Sequence, residues 1–88
     1  MADFIPSSHA TLRQFFDIDT AEKWSFDTNE GVHCEGFAIE VEVHRVLFAF
    51  AGPMALDEPE WISFDRIGIE ELSYWDSQKR CWLDFSPA

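Results

Sequence analysis

Carboxylates are the most abundant chemically active groups in this chain, and their spacing gives the first clue. Glu40 and Glu42 stand two apart in "FAIEVEVHRVLFAF" (37–50), Glu70 and Glu71 are adjacent, and Asp57, Glu58 and Glu60 form a third group. On a β-strand, residues two apart share a face about 6.6–6.8 Å from one another. Carboxylates held at that interval on a rigid sheet present a charge array resembling nucleic-acid phosphates. A groove built for phosphates accepts such an array, and opposite charge speeds the encounter. General acid–base catalysis is the other chemistry a carboxylate pair performs. Among seventeen Asp and Glu, close pairs arise by chance, and as an edge in water they need no catalytic explanation.

The remaining reactive types are sparse. His33 and Cys34 are neighbours. On a strand they point to opposite faces, whereas a structural metal needs four converging ligands. A Cys–His nucleophile would need Cys34 or Cys81 beside His9 or His44 together with a third, orienting group, and the spacing supplies none. The four glycines, at 31, 36, 52 and 68, are too dispersed to cradle a phosphate. Neither G-x-S-x-G nor H-E-x-x-H occurs. The expectation is therefore a protein that is not an enzyme, with no catalytic residue, metal or cofactor.

Charge narrows the partners. Seventeen acidic residues against six basic ones give −11, a field that repels nucleic acid and anionic membranes and attracts basic proteins. No run of eighteen apolar residues suits a membrane span, and "MADFIPSSHATL" lacks a basic segment followed by an apolar one. A cytoplasmic protein with two free thiols is expected.

The elements that would position these groups follow from apolar periodicity. With 88 residues, the chain is expected to form one domain over 1–88. It should bury about 60–65% of the surface its unfolded form exposes, helped by nine Phe and four Trp. Pro6, Ser7 and Ser8 predict a helix start with a Ser cap, Phe4 and Ile5 a staple outside it. Leu12, Phe15 and Phe16 form one apolar stripe, ending near Ile18. Trp24 and Phe26, the turn "DTNEG", then Val32 and Cys34 predict a hairpin, with Gly36 marking a bulge.

In 37–50 the apolar residues sit at odd positions up to Val43 and at even positions from Val46. A hairpin turning at His44-Arg45 makes that change of parity. It pairs Val43 with Val46, Val41 with Phe48 and Ile39 with Phe50, leaving Glu40 and Glu42 outside. The rival, a single bulged strand of 15 residues, would run about 50 Å.

"AGPMALDEPEW" reads as a loop with a possible cap at Asp57 and Pro59 just inside a short turn. "WISFDRIGI" reads as a strand covered on both faces, or a short helix from Glu58 to Phe64. "ELSYWDSQKRCWLDF" reads as two strands pairing Tyr74 with Cys81 and Leu72 with Leu83. That pairing leaves Trp75 and Trp82 on the other face beside Arg80, where they either pack under the helix or the loop or form a binding surface.

The predicted fold is α+β: an N-terminal helix packed on an antiparallel β-meander of five or six strands. The expected function is a small acidic protein-binding module, an inhibitor occluding a basic, nucleic-acid-binding or nuclease-like partner by charge mimicry. Glu40, Glu42, Glu70 and Glu71 would supply charge, and Trp75 and Trp82 the anchors. The alternative is a structural or assembly protein that forms a homodimer through the exposed Trp75/Trp82 face. A small-molecule carrier with an aromatic pocket ranks below both.

Overall fold

A computed structural model describes residues 4–52 and 58–86. Helix α1 (Ser7–Phe16) is followed by strands β1 (Ala21–Asp27), β2 (His33–Val41), β3 (Arg45–Phe50), β4 (Glu60–Ser63), β5 (Ser73–Asp76) and β6 (Cys81–Asp84). A 3-10 turn, Phe64–Arg66, follows β4. The strands form one antiparallel sheet in the order β4-β3-β2-β1-β5-β6. This is an α+β fold with an N-terminal helix on a six-stranded antiparallel sheet. The meander runs unbroken from β1 to β4. The chain then crosses back over one face of the sheet, and β5 pairs with the free side of β1.

The apolar stripe of α1 is as its spacing predicts, with Leu12, Phe15 and Phe16 buried. Its ends differ from the expectation. Pro6, not a serine, is the N-cap, and no side chain caps the helix. The Pro6 carbonyl accepts from the amides of His9 and Ala10, and the fixed ring torsion sets the first turn without a hydroxyl. Phe4 is 83% exposed and staples nothing. The helix stops at Phe16, and the chain enters β1 five residues later.

Trp24 and Phe26 face inward, opposite Gly36 and Cys34. In the turn between β1 and β2, Gly31 takes φ +83° and the Thr28 hydroxyl accepts from the amides of Glu30 and Val32.

Segment 37–50 is a hairpin, as predicted, but its register corrects the expectation. Val41 lies opposite Val46, Ala38 opposite Phe48 and Gly36 opposite Phe50. The ladder shifts between Ala38 and Glu40, so Ile39 is a bulge. The loop is Glu42 to His44, and the Glu42 amide donates to the Arg45 carbonyl. The bulge switches the inner face of β2 from even positions before it to Val41 after it. Cys34, Gly36 and Ala38 therefore face the core, while Phe37 is 40% and Ile39 56% exposed. Phe37, Ile39 and Val43 do not join the inner layer. The bulge forms three residues beyond the expected Gly36, and Gly36 serves a different need. A Cβ there would lie 2.1 Å from the Ala49 carbonyl oxygen and 3.0 Å from the Phe48 ring. A 50 Å strand would not fit a molecule whose longest dimension is 42 Å.

After β4, Ser63 caps the 3-10 turn by accepting from the Asp65 amide. Ile67 bridges to Thr28, and the Gly68 amide donates to the Asp27 carbonyl. "WISFDRIGI" is thus a short strand and then a crossing segment, which explains its mixed parity. Ile62, Phe64, Ile67 and Leu72 all point into the core. The cap expected at Asp57 lies outside the described residues.

The last hairpin pairs Tyr74 with Leu83, Trp75 with Trp82 and Asp76 with Cys81. Its register is two residues from the expected one, which preserves which face each residue takes. The turn is Ser77 to Arg80, and Asp76 organises it. One Asp76 carboxylate oxygen accepts from the amides of Gln78 at 2.9 Å and Lys79 at 2.7 Å, while Arg80 adopts φ 56°.

The hydrogen bond from the Lys79 amide is the first cause holding the Asp76 carboxyl below its ordinary value of 3.8, with the Thr20 side chain and Gln78 amide adding to it. A depressed folded-state pKa gives stability that is present above 3.8 and lost as pH falls through the folded value. Asp76→Asn should therefore melt below the wild type at pH 7. The difference should shrink as the pH is lowered past 3.8 in thermal melts monitored by circular dichroism. A difference that stays constant with pH would show that the carboxylate charge plays no part in the turn.

The core lies between the inner sheet face and a cover made of α1 and the crossing segment. Phe16 is its hub. Its ring stacks on Phe64 at 6.0 Å, meets Phe26 edge-on at 5.8 Å, and lies 4.9 Å from Phe15 and 6.2 Å from both Trp24 and Phe48. The Trp24 indole N–H donates to the Phe15 carbonyl at 2.7 Å, where the helix ends.

Candidate functional site

The cover occupies one side only. No described element lies over the outer face, so that face is built entirely from strand residues pointing away from the core. Register places them in rows. Ala49 is opposite Phe37, Lys23 opposite Trp75, and Trp75 opposite Trp82. Lys23 Nζ lies 5.9 Å from the Phe37 ring centre, which joins these pairs into one band. A second row runs Trp61, Leu47, Glu40. A third runs Glu35, Ser25, Ser73, Asp84. The result is an aromatic band with carboxylates on either side of it.

Trp75 and Trp82, the expected anchors, do come together here. Their rings meet edge-to-face at 5.8 Å and 77°, and Trp82 is 40% exposed. They do not pack under α1 or the crossing segment. Phe37, Leu47 and Trp61 extend the same surface and were not among the expected site residues. Phe37 was assigned to the core on its parity, and the bulge at Ile39 reverses that. The signal that identifies Trp61 is its own parity, opposite to that of Ile62 and Phe64.

The face treats its two cations alike. Arg45 lies over the Trp61 ring with its guanidinium carbon 3.9 Å from the centroid, and its Nε donates to Glu42. Lys23 lies over Phe37.

The four expected glutamates are exposed but do not form one array. Glu40 is on the outer face. Glu42 is in the loop at the end of β2, already paired with Arg45. Glu70 and Glu71 precede β5 at the opposite end of the sheet. There, with Asp27 and Asp65, they line a groove of about 570 Å³ floored by Phe64 and Ile67. The carboxylates that do flank the aromatic band are Glu35, Glu40 and Asp84.

His9 is buried at 4% exposure. Its Nε2 lies 2.7 Å from an Asp65 carboxylate oxygen and its Nδ1 2.8 Å from His44 Nδ1. Asp65 accepts from His9 Nε2–H, and of the two facing Nδ1 atoms one donates and the other accepts. This chain ties α1 to the β2–β3 loop and to the 3-10 turn.

His33 bonds to Asp27 at 2.8 Å on the exposed side, while Cys34 points inward. Among the described residues, no group of three or more His, Cys, Asp or Glu converges as a metal would require. Burial, then the Asp27 charge, pushes the Cys34 thiol up, so it stays protonated at neutral pH. Cys34 on β2 and Cys81 on β6 are three strand spacings apart, about 14 Å, beyond the reach of a disulfide, and both are free thiols.

Among the described residues, no helix is long and apolar enough to cross a membrane. Comparison with protein-family models, curated proteins and solved structures gives no match, so the case for function rests on this face.

Proposed function

We propose that this chain is an acidic protein-binding module that takes a basic partner against the open face of its sheet. The observation that carries this reading is the aromatic band of Phe37, Trp75 and Trp82, uncovered by any described element and edged by Glu35, Glu40 and Asp84, in a chain of net charge −11. Large aromatic side chains at the centre of a face, with charge at its rim, match the anatomy of protein interfaces. Binding is the role proposed; on the same exposed side the Ser25 hydroxyl lies 3.3 Å from His33 Nε2, whose ring is held at Nδ1 by Asp27 at 2.8 Å. A partner whose own basic surface binds nucleic acid or carries a nuclease site would be occluded, which makes an inhibitor the specific form of the proposal. Two unpaired thiols suit the reducing cytoplasm.

Self-association through the same face is the second reading, favoured by the exposure of Phe37 and Trp82. Charge opposes it, since each copy brings −11 to the interface.

Affinity capture followed by mass spectrometry, at low and at moderate salt, tests the proposal. A basic protein should be retained at low salt, and its affinity for the purified chain should fall by roughly tenfold at moderate salt, as exposed charges are screened beyond about 8–10 Å. Retention of no basic protein, together with a salt-insensitive dimer in sedimentation, would overturn it in favour of self-association.

A further inference from the structure

We infer that Trp75, Trp82 and Asp84 form a guanidinium subsite, into which the partner inserts an arginine side chain. The inference deepens the proposed function and rests on its reading of the outer face as the contact surface for a basic protein. The molecule itself shows how this surface holds such a group. Arg45 holds its guanidinium carbon 3.9 Å from the Trp61 ring centroid while its Nε donates to the Glu42 carboxylate. One ring and one carboxylate thus take the two kinds of contact a guanidinium makes, stacking and hydrogen bonding.

The same pair of groups recurs at the other side of the sheet. Trp82 and Asp84 are two residues apart on β6, so they share a face about 6.6–6.8 Å from each other. Asp84 is held in place by the Ser73 hydroxyl at 3.3 Å, which leaves its second oxygen free to accept. Trp75 stands edge-to-face against Trp82 and walls the site on the β5 side. Among the described residues, the cations that lie over aromatic rings are Arg45 and Lys23. Lys23, although opposite Trp75, reaches the other way to Phe37. Lys79 and Arg80, in the adjoining turn, are exposed.

Arginine fits better than lysine. A planar guanidinium stacks on the indole while its edge reaches the carboxylate, and its weaker hydration makes the transfer onto a ring less costly than for an ammonium. A second copy of the chain fits worse, because it would set Asp84 and Glu35 against their own counterparts.

The test uses deca-arginine and deca-lysine peptides with the intact chain. Affinities come from calorimetry, and the four indole N–H signals are followed by NMR. Deca-arginine should bind about tenfold tighter than deca-lysine and shift the Trp75 and Trp82 signals more than those of Trp24 and Trp61. Trp82→Ala should remove most of that preference, and Asp84→Asn about half of it on a logarithmic scale. Both residues lie on the exposed edge strand, and an unchanged thermal melt confirms that each variant is folded. Equal binding of both peptides, unaffected by Trp82→Ala, would overturn the subsite and leave the acidic-module reading standing. Binding of neither peptide would overturn both. A dimer broken by Trp82→Ala would assign the face to a second copy instead.

Discussion

Phe16→Ala should lower the unfolding free energy by about 3–5 kcal/mol, the cost of removing a fully buried phenyl ring and leaving a cavity. For a domain whose total stability is about 5–15 kcal/mol, that is a large share of it. The site makes the upper part of the range the expectation. Phe16 contributes ring contacts to the helix, to β1, to β3 and to the 3-10 turn at once. Those neighbours belong to four separate segments, each held by its own backbone bonds, so they cannot collapse together into the space. The melting temperature should fall by about 15–30 °C, readable by calorimetry or circular dichroism. Phe15→Ala, equally buried but with ring contacts to Phe16 and Phe85, is the comparison, and Phe16→Leu should recover more than half of the loss. A drop of less than about 1 kcal/mol for Phe16→Ala would mean that the helix is not seated on the sheet as described.

Gly36→Val is the second large effect, and it acts through the opposite physics. Here nothing is removed. A side chain is forced toward a backbone oxygen of the paired strand, 2.1 Å from where its first carbon would sit. Backbone in the middle of a ladder cannot swing aside as a flexible side chain does. β2 and β3 must separate or slide, and the Phe48 ring must also give way. Overpacking costs about 1–3 kcal/mol and occasionally more, and this contact falls at the high end. Gly36→Ala should already be destabilising, because the offending atom is the β-carbon itself. Chemical denaturation of the two variants checks this. If Gly36→Ala is as stable as the parent, the β2–β3 register reported above is wrong.

How much of this was legible in the sequence depends on the range of the signal. The helix stripe was legible because Leu12, Phe15 and Phe16 satisfy a local period. Trp24 and Phe26 were legible for the same reason. The β2–β3 hairpin was legible as a change of parity, but its register was not. Both a turn and a bulge shift parity, and the two together look like a turn at a different place. The crossing from β4 to β5 left no local mark, since what decides it is the unsatisfied edge of β1, about fifty residues earlier. Of the candidate site, Trp75 and Trp82 were found because their face follows from the hairpin whichever even register it takes. Phe37 was hidden by the bulge. The four glutamates were correctly read as outward, and their separation into two ends of the sheet is a property of topology that spacing along the chain cannot carry.

That topology has a consequence for how the sheet closes. The first strand in chain order, β1, ends in the middle of the sheet, and its second partner, β5, lies about fifty residues further along. Ser25 cannot meet Ser73 until a loop of about fifty residues closes. Without β5, β1 is an edge strand with Trp24 at a bare margin, and the Trp75–Trp82 band does not exist. The surface proposed for recognition thus forms only with this long-range closure, and a partner that reads it distinguishes a closed sheet from an open one.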